Sequence, residues 1–143
     1  MASVFFDEER LYGGVSLPVV DQKVLESSVR INGTIRPSLL EKLIPIFLLD
    51  APKLLTAITT GLSNSDAALV KISAHSLKSS SAWLGASMLS ELSRQTEVLA
   101  TEGRLSDVPS LMQDMRAQFE LVADLLPVLR DELLQLAILE SDR

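Results

Sequence analysis

Asp66–Gly85 reads DAALVKISAHSLKSSSAWLG and holds the only histidine of the chain, His75. An α-helix turns about 100° per residue, so residues three and four apart share a face. On that wheel Leu69, Ile72, Leu77, Trp83 and Leu84 gather on one side, with the small Ser73, Ser76 and Ser80 between them. His75 lands roughly 140° from the centre of that stripe and is predicted to face water. One turn away lie Lys71, Lys78 and Ser79, and Ala68 and Ala82 extend the same face. The spacing thus predicts a lone imidazole on an open helix face, beside two lysines and otherwise among small side chains. A large partner can approach such a surface.

Three chemistries suit an exposed histidine. A metal site needs three or four ligands, and the chain has no second histidine and no cysteine to join His75. General acid–base catalysis wants a cleft and a carboxylate partner, which a convex helix face does not supply. Nucleophilic attack on a phosphoryl group fits better. Free imidazole titrates at about 6.5 and is mostly neutral at neutral pH, so a ring nitrogen attacks without activation by a base. Lys71 and Lys78 would then meet an incoming charge of roughly −1.5 to −2. Helix geometry alone leaves open a plain solvated histidine between two surface lysines.

The run Ala74-His75-Ser76-Leu77-Lys78-Ser79-Ser80-Ser81-Ala82-Trp83-Leu84-Gly85-Ala86 resembles the signature of the histidine-containing phosphotransfer (HPt) domain family of two-component phosphorelays. That pattern is A-H-x-L-K-G-S-S/A-x-x-L-G-A, continued by a helix with spaced leucines, here Leu89 and Leu92, and then Glu97. Upstream, Phe47, Asp50, Pro52 and Leu55 are similar to its F-x-x-D-x-P-x-x-L arrangement. The likeness runs from roughly Val20 to Leu139 and its core motif is specific. It implies that His75 is the phosphoacceptor and that Lys78, matching the family's lysine, helps hold the phosphoryl oxygens. The position of Glu97, often Gln or Glu in the family, sits across from the histidine. Ser79 stands where the family most often has glycine, and Ser93 where many members carry cysteine.

The implied function is a relay, in which His75 takes a phosphoryl group from an aspartyl phosphate on one receiver domain and passes it to another. The implied partners are response-regulator receiver domains and a hybrid sensor histidine kinase. Ala68, Lys71, Ser79, Ala82 and Glu97 are the candidate docking residues, Lys71 on helix geometry alone. The chain carries no Gly-rich phosphate loop, no Mg²⁺-binding acid cluster and no nucleotide motif. No cofactor is therefore expected on it. Mg²⁺ is expected on the receiver, and the chain should be a carrier without turnover of its own. The alternative is a non-catalytic helical adaptor that binds a receiver domain or kinase without being phosphorylated. An enzyme using His75 as acid or base is disfavoured, because no polar residues converge on it.

At 143 residues and 47% hydrophobic content the chain is one domain with enough length for a real core. Its net charge of −6 makes nucleic acid or an anionic membrane an unexpected partner. The absence of cysteine excludes disulfides and fits a reducing cytoplasm. Leu43–Leu49, the most apolar run, is too short to span a bilayer, and no signal-peptide pattern opens the sequence. A monomer is expected.

Residues 1–18, with a Gly13-Gly14 pair and no sustained period, read as a flexible tail in which Val4, Phe5 and Phe6 could dock on the domain or on another copy. Asp21 caps a short helix through Ile31, ended by Asn32-Gly33. Pro37 opens a long helix to about Thr60, closed by Gly61, with bends expected at Pro45 and Pro52. Ser65 caps the histidine helix with Asp66 in its first turn, and Gly85 breaks it. The next helix runs from about Ser87 to Thr101 with Leu89, Leu92, Thr96 and Leu99 inside, and Gly103 ends it. The last opens near Ser106-Asp107, with Pro109 in its first turns and a kink expected at Pro127. Its stripe is Met115, Phe119, Val122, Leu126, Leu129, Leu133 and Leu136, core packing and not a cofactor box. No strand alternation is evident. Residues 19–143 should therefore form an all-α, antiparallel up-down four-helix bundle with a short extra N-terminal helix.

Overall fold

Pro37 occupies the first turn of the longest apolar helix, where its missing N–H costs nothing and its fixed φ favours helix entry. In the computed structural model, which describes residues 9–12 and 15–142 with side chains from Leu17 onward, that helix is α2 (Pro37–Ser63). It is followed by α3 (Ala67–Trp83), α4 (Ser87–Thr101) and, after a 3-10 turn at Leu105–Asp107, α5 (Val108–Ser141). Each packs on the next, and α5 returns to α2, closing an up-down bundle. The fold is all-α in its core, as the periodicity predicts.

The buried stripe of α2 is Leu40, Ile44, Phe47, Ala51, Leu55 and Ile58, spaced at threes and fours. It meets Val122, Leu126, Leu129 and Leu133 of α5 in one continuous core. Phe47 and Phe119 pack against each other across the α2–α5 seam, their rings tilted by 42° with centroids 6.0 Å apart. The helix runs unbroken through Pro45 and Pro52, and α5 through Pro127. At 27 residues α2 is long and apolar enough to cross a bilayer by length and composition. The short run Leu43–Leu49 understates it. Here its core stripe is spent on α3 and α5.

Gly61 does not end α2, contrary to the expected stop near Thr60. It is buried, and a Cβ there would lie 2.7 Å from Val70 Cγ2. Glycine is needed because α3 crosses close to the α2 backbone, not because the chain turns. Asp66, not Ser65, caps α3: the Leu69 N–H donates to its carboxylate at 3.0 Å, while Ser65 takes a φ of 52° in the turn.

The N-terminal region departs most from expectation. Asp21 does cap α1 (Gln22–Ser28), with the Lys23 and Val24 N–H groups donating to its carboxylate. Beyond α1, however, β3 (Arg30–Ile31) and β4 (Thr34–Ile35) form a hairpin around Asn32 and Gly33, at φ 51° and 78°. Asn-Gly is therefore a hairpin turn and not a helix stop. Within the expected flexible tail, β1 (Glu9–Tyr12) pairs antiparallel with β2 (Val15–Pro18), and β2 packs on α4. Val4, Phe5, Phe6, Gly13 and Gly14 lie outside the described residues.

The α3–α4 turn is where this N-terminal layer is tied down. The Asp21 N–H donates to the Gly85 carbonyl at 2.7 Å, and Ser28 Oγ donates to the Trp83 carbonyl at 2.5 Å. Gly85 has a φ of 78°, and a Cβ on it would run into the Asp21 carbonyl oxygen. Backbone conformation and the seat of α1 both require glycine there. At the far end Arg30 pairs with Glu26 and Glu140, linking α1 and the hairpin to the end of α5.

Candidate functional site

Val70, Ser73, Ala74, Leu77 and Ser81 form the buried face of α3. Three of these five are serine or alanine, so α3 sits close against its neighbours α2 and α4. His75 is about 140° around the helix from the centre of that face, and its side chain is 59% exposed. Lys78 is half-buried, one turn further on.

Glu97 of α4 connects the two. A carboxylate thus does converge on His75, contrary to the expectation from the α3 face alone, because it comes from the neighbouring helix. Its Oε2 lies 2.8 Å from His75 Nδ1 and its Oε1 2.7 Å from Lys78 Nζ. The carboxylate is 18% exposed. Lys78 donating to it, and to a lesser degree His75, hold its pKa below the usual carboxylate range, against an opposing push from desolvation. An ionised carboxylate only accepts hydrogen bonds, so Nδ1 carries the ring proton of neutral His75. The lone pair is then on Nε2. α3 and α4 are held in register beside this bridge by Ser90 Oγ, which donates to the Lys78 carbonyl at 2.9 Å. Thr101 Oγ1 donates to the Glu97 carbonyl one turn along α4.

Residues 42–137 match the family model of the Hpt domain. The chain belongs to the Hpt domain family. Its structure is similar to the crystal structure of histidine-containing phosphotransfer protein B (HptB) from Pseudomonas aeruginosa, with a TM-score of 0.72 and 28% identity. The match covers 80% of this chain and 96% of that one. No curated protein sequence matches the chain. As an Hpt domain it belongs with the histidine phosphotransfer proteins of two-component systems, which are phosphocarriers rather than classical enzymes and work with histidine kinases and response regulators.

The other candidate residues of the Hpt domain fall as follows. Ala68, Lys71, Ser79 and Ala82 are all exposed, on the solvent side of α3 with His75. Lys71 makes no ion pair among the described residues, unlike Lys78. Glu97 is not on the open face with them, because it reaches across from α4 beneath the imidazole and the ammonium. Ser93 is buried, with Oγ donating to the Leu89 carbonyl at 2.8 Å. No group of three or more His, Asp or Glu that could hold a metal occurs among the described residues.

One part of the helix wheel needs correction. Ile72 and Trp83, predicted inside, are 65% and 61% exposed, and Ser76 is exposed as well. Hydropathy places the stripe where the largest apolar residues are, but close helix packing selects small ones, so the true inner face is rotated by about 90°. His75 is exposed on either rotation. Sequence reasoning also places no N-terminal residue near the site, yet Leu17 of β2 lines a groove with Lys78 and Ala82.

Proposed function

We propose that His75 takes a phosphoryl group from the aspartyl phosphate of one receiver domain and hands it to the aspartate of another. The observation that carries this reading is the Glu97 bridge, which fixes Nδ1 as the protonated nitrogen and leaves Nε2 as the nucleophile. In the accepting step the Nε2 lone pair attacks phosphorus in line. An N–P bond forms, the aspartyl O–P bond breaks, and the aspartate leaves as a carboxylate. The ring becomes cationic while Nδ1 keeps its proton, and the Glu97 carboxylate 2.8 Å away stabilises that charge. Lys78, already beside Glu97, supplies a cation for the phosphoryl oxygens. Lys71 adds a weaker field from one turn away. Donation to the second receiver is the same displacement in reverse.

The partner supplies the aspartate and the Mg²⁺ that shields it. This chain supplies a nucleophile of fixed tautomer and a low surface around it. Incubation with a receiver domain phosphorylated by acetyl phosphate tests the reading. The expected result is phosphate on this chain and its loss from the receiver. A stable complex with all the phosphate still on the receiver would make the chain an adaptor.

A further inference from the structure

A phosphoryl group on His75 Nε2 brings about three strong acceptor oxygens to an exposed helix face. Lys78 can meet one of them, but its ammonium already lies 2.7 Å from the Glu97 carboxylate, which shares its charge. The other polar side chain one turn C-terminal to the imidazole is Ser79. Residues four apart on a helix have Cβ atoms about 5–6 Å apart. Helical side chains also lean toward the N-terminus, which lays the Ser79 hydroxyl over the turn that carries His75. Ser76 is exposed as well, but it is turned about 100° away from His75 around the helix.

Helical hydroxyls are commonly occupied by their own backbone. Thr59, Ser93, Thr96 and Thr101 each donate to the carbonyl four residues back. Ser79 does not. Among the described residues its Oγ has no hydrogen-bond partner, and the residue is exposed. An O–H donor without an intramolecular acceptor therefore stands one turn from the nucleophile.

We propose that Ser79 binds the phosphoryl group: its hydroxyl donates to an oxygen of the group on Nε2 and stabilises the phosphohistidine. The proposal rests on the phosphotransfer reading, which supplies the ligand. Lys78 and Ser79 then meet the group from adjacent positions, the ammonium balancing its charge and the hydroxyl fixing its orientation. The hydroxyl keeps its proton, and no bond to Oγ forms. A glycine in this place, as in the pattern the sequence resembles, offers no side-chain donor. The contact therefore comes from this chain's own serine.

The test is the equilibrium constant for transfer from a receiver domain of the source organism, phosphorylated with acetyl phosphate, taken from forward and reverse rates. That constant compares the separated proteins, so a change in how they dock cancels from it. With the receiver fixed, it moves only when the phosphorylated and unphosphorylated forms of this chain are stabilised unequally. It is measured for wild type, Ser79→Ala and Ser79→Thr, each checked by thermal melt. Ser79→Ala should shift the constant about fivefold toward the phosphorylated receiver, the scale of one net hydrogen bond, while Ser79→Thr should stay within about twofold of wild type. An unchanged constant in Ser79→Ala, whatever its rates, overturns the proposal and leaves Ser79 as bulk beside the site. Equal shifts in both variants also overturn it, because Thr keeps the hydroxyl. Labelling of wild type with phosphoramidate, a small donor that needs no docking, separates the two levels. If His75 accepts phosphate from it while Ser79→Ala keeps the wild-type constant, only the role of Ser79 is wrong. If His75 accepts none from either donor, the phosphotransfer reading falls and this contact with it.

Discussion

Glu97 accepts from both Lys78 and His75 with one carboxylate, and both of its roles can be measured. Its pKa is depressed from the ordinary 4.5, first by Lys78 and then by His75. A carboxylate depressed on folding contributes stability that is fully present above its unfolded value and is lost as pH falls through its lower folded value. Glu97→Gln removes that contribution, so the variant should melt below wild type at about pH 7, and the gap should close at pH values under 4.5. A gap of constant size across that range would mean the Lys78 pair is too solvated to matter. The lysines separate by kinetics. Lys78→Ala should slow phosphoryl transfer by about tenfold, the effect of losing one charged hydrogen bond to the phosphoryl group, whereas Lys71→Ala should slow it by no more than about threefold. Rates measured from one phosphorylated receiver domain decide between them. Equal rates for both variants and wild type would reduce the pair to surface solvation.

The helices show what could be read in advance and what could not. α4 is bounded at Ser87 and Thr101, as the leucine spacing and Gly103 predict, because a strong stripe and a clear stop coincide. α3 has a weak stripe, and its inner face is built from Ser73, Ala74 and Ser81, so hydropathy misplaces Ile72 and Trp83. The Glu97 bridge joins residues 22 positions apart on two helices, and the periodicity of either helix places Glu97 only on a flank. Gly61 illustrates the same limit, since its need arises from Val70 on the facing helix. Gly61→Ala should gain about 1 kcal/mol of helix propensity yet lose more to overpacking, for a net fall in Tm of a few degrees. A higher Tm in the melt would show that α2 and α3 have room between them. On the solvent side, Ser79→Arg should block transfer while leaving the melt unchanged, because Ser79 is exposed and helical. Normal transfer by that variant would mean that no partner lies over this turn.

As a whole the molecule is a helical scaffold that holds one imidazole at a fixed tautomer on an acidic surface of net charge −6. The bundle was legible because four long apolar periods leave few other ways to bury a core. The N-terminal layer was not, since strands of two and four residues owe their existence to the bundle they lean on. Asn32-Gly33, and Gly13-Gly14 in the sequence between β1 and β2, were its local signs. The central claim concerns a single atom, His75 Nε2. Its most direct test is to phosphorylate the chain from a receiver domain, digest it under basic conditions and locate the phosphate by mass spectrometry and ³¹P NMR. The account predicts an acid-labile, base-stable phosphoramidate on Nε2 of His75, absent from a folded His75→Ala variant. Phosphate on Nδ1, or any phosphate persisting in His75→Ala, would contradict it.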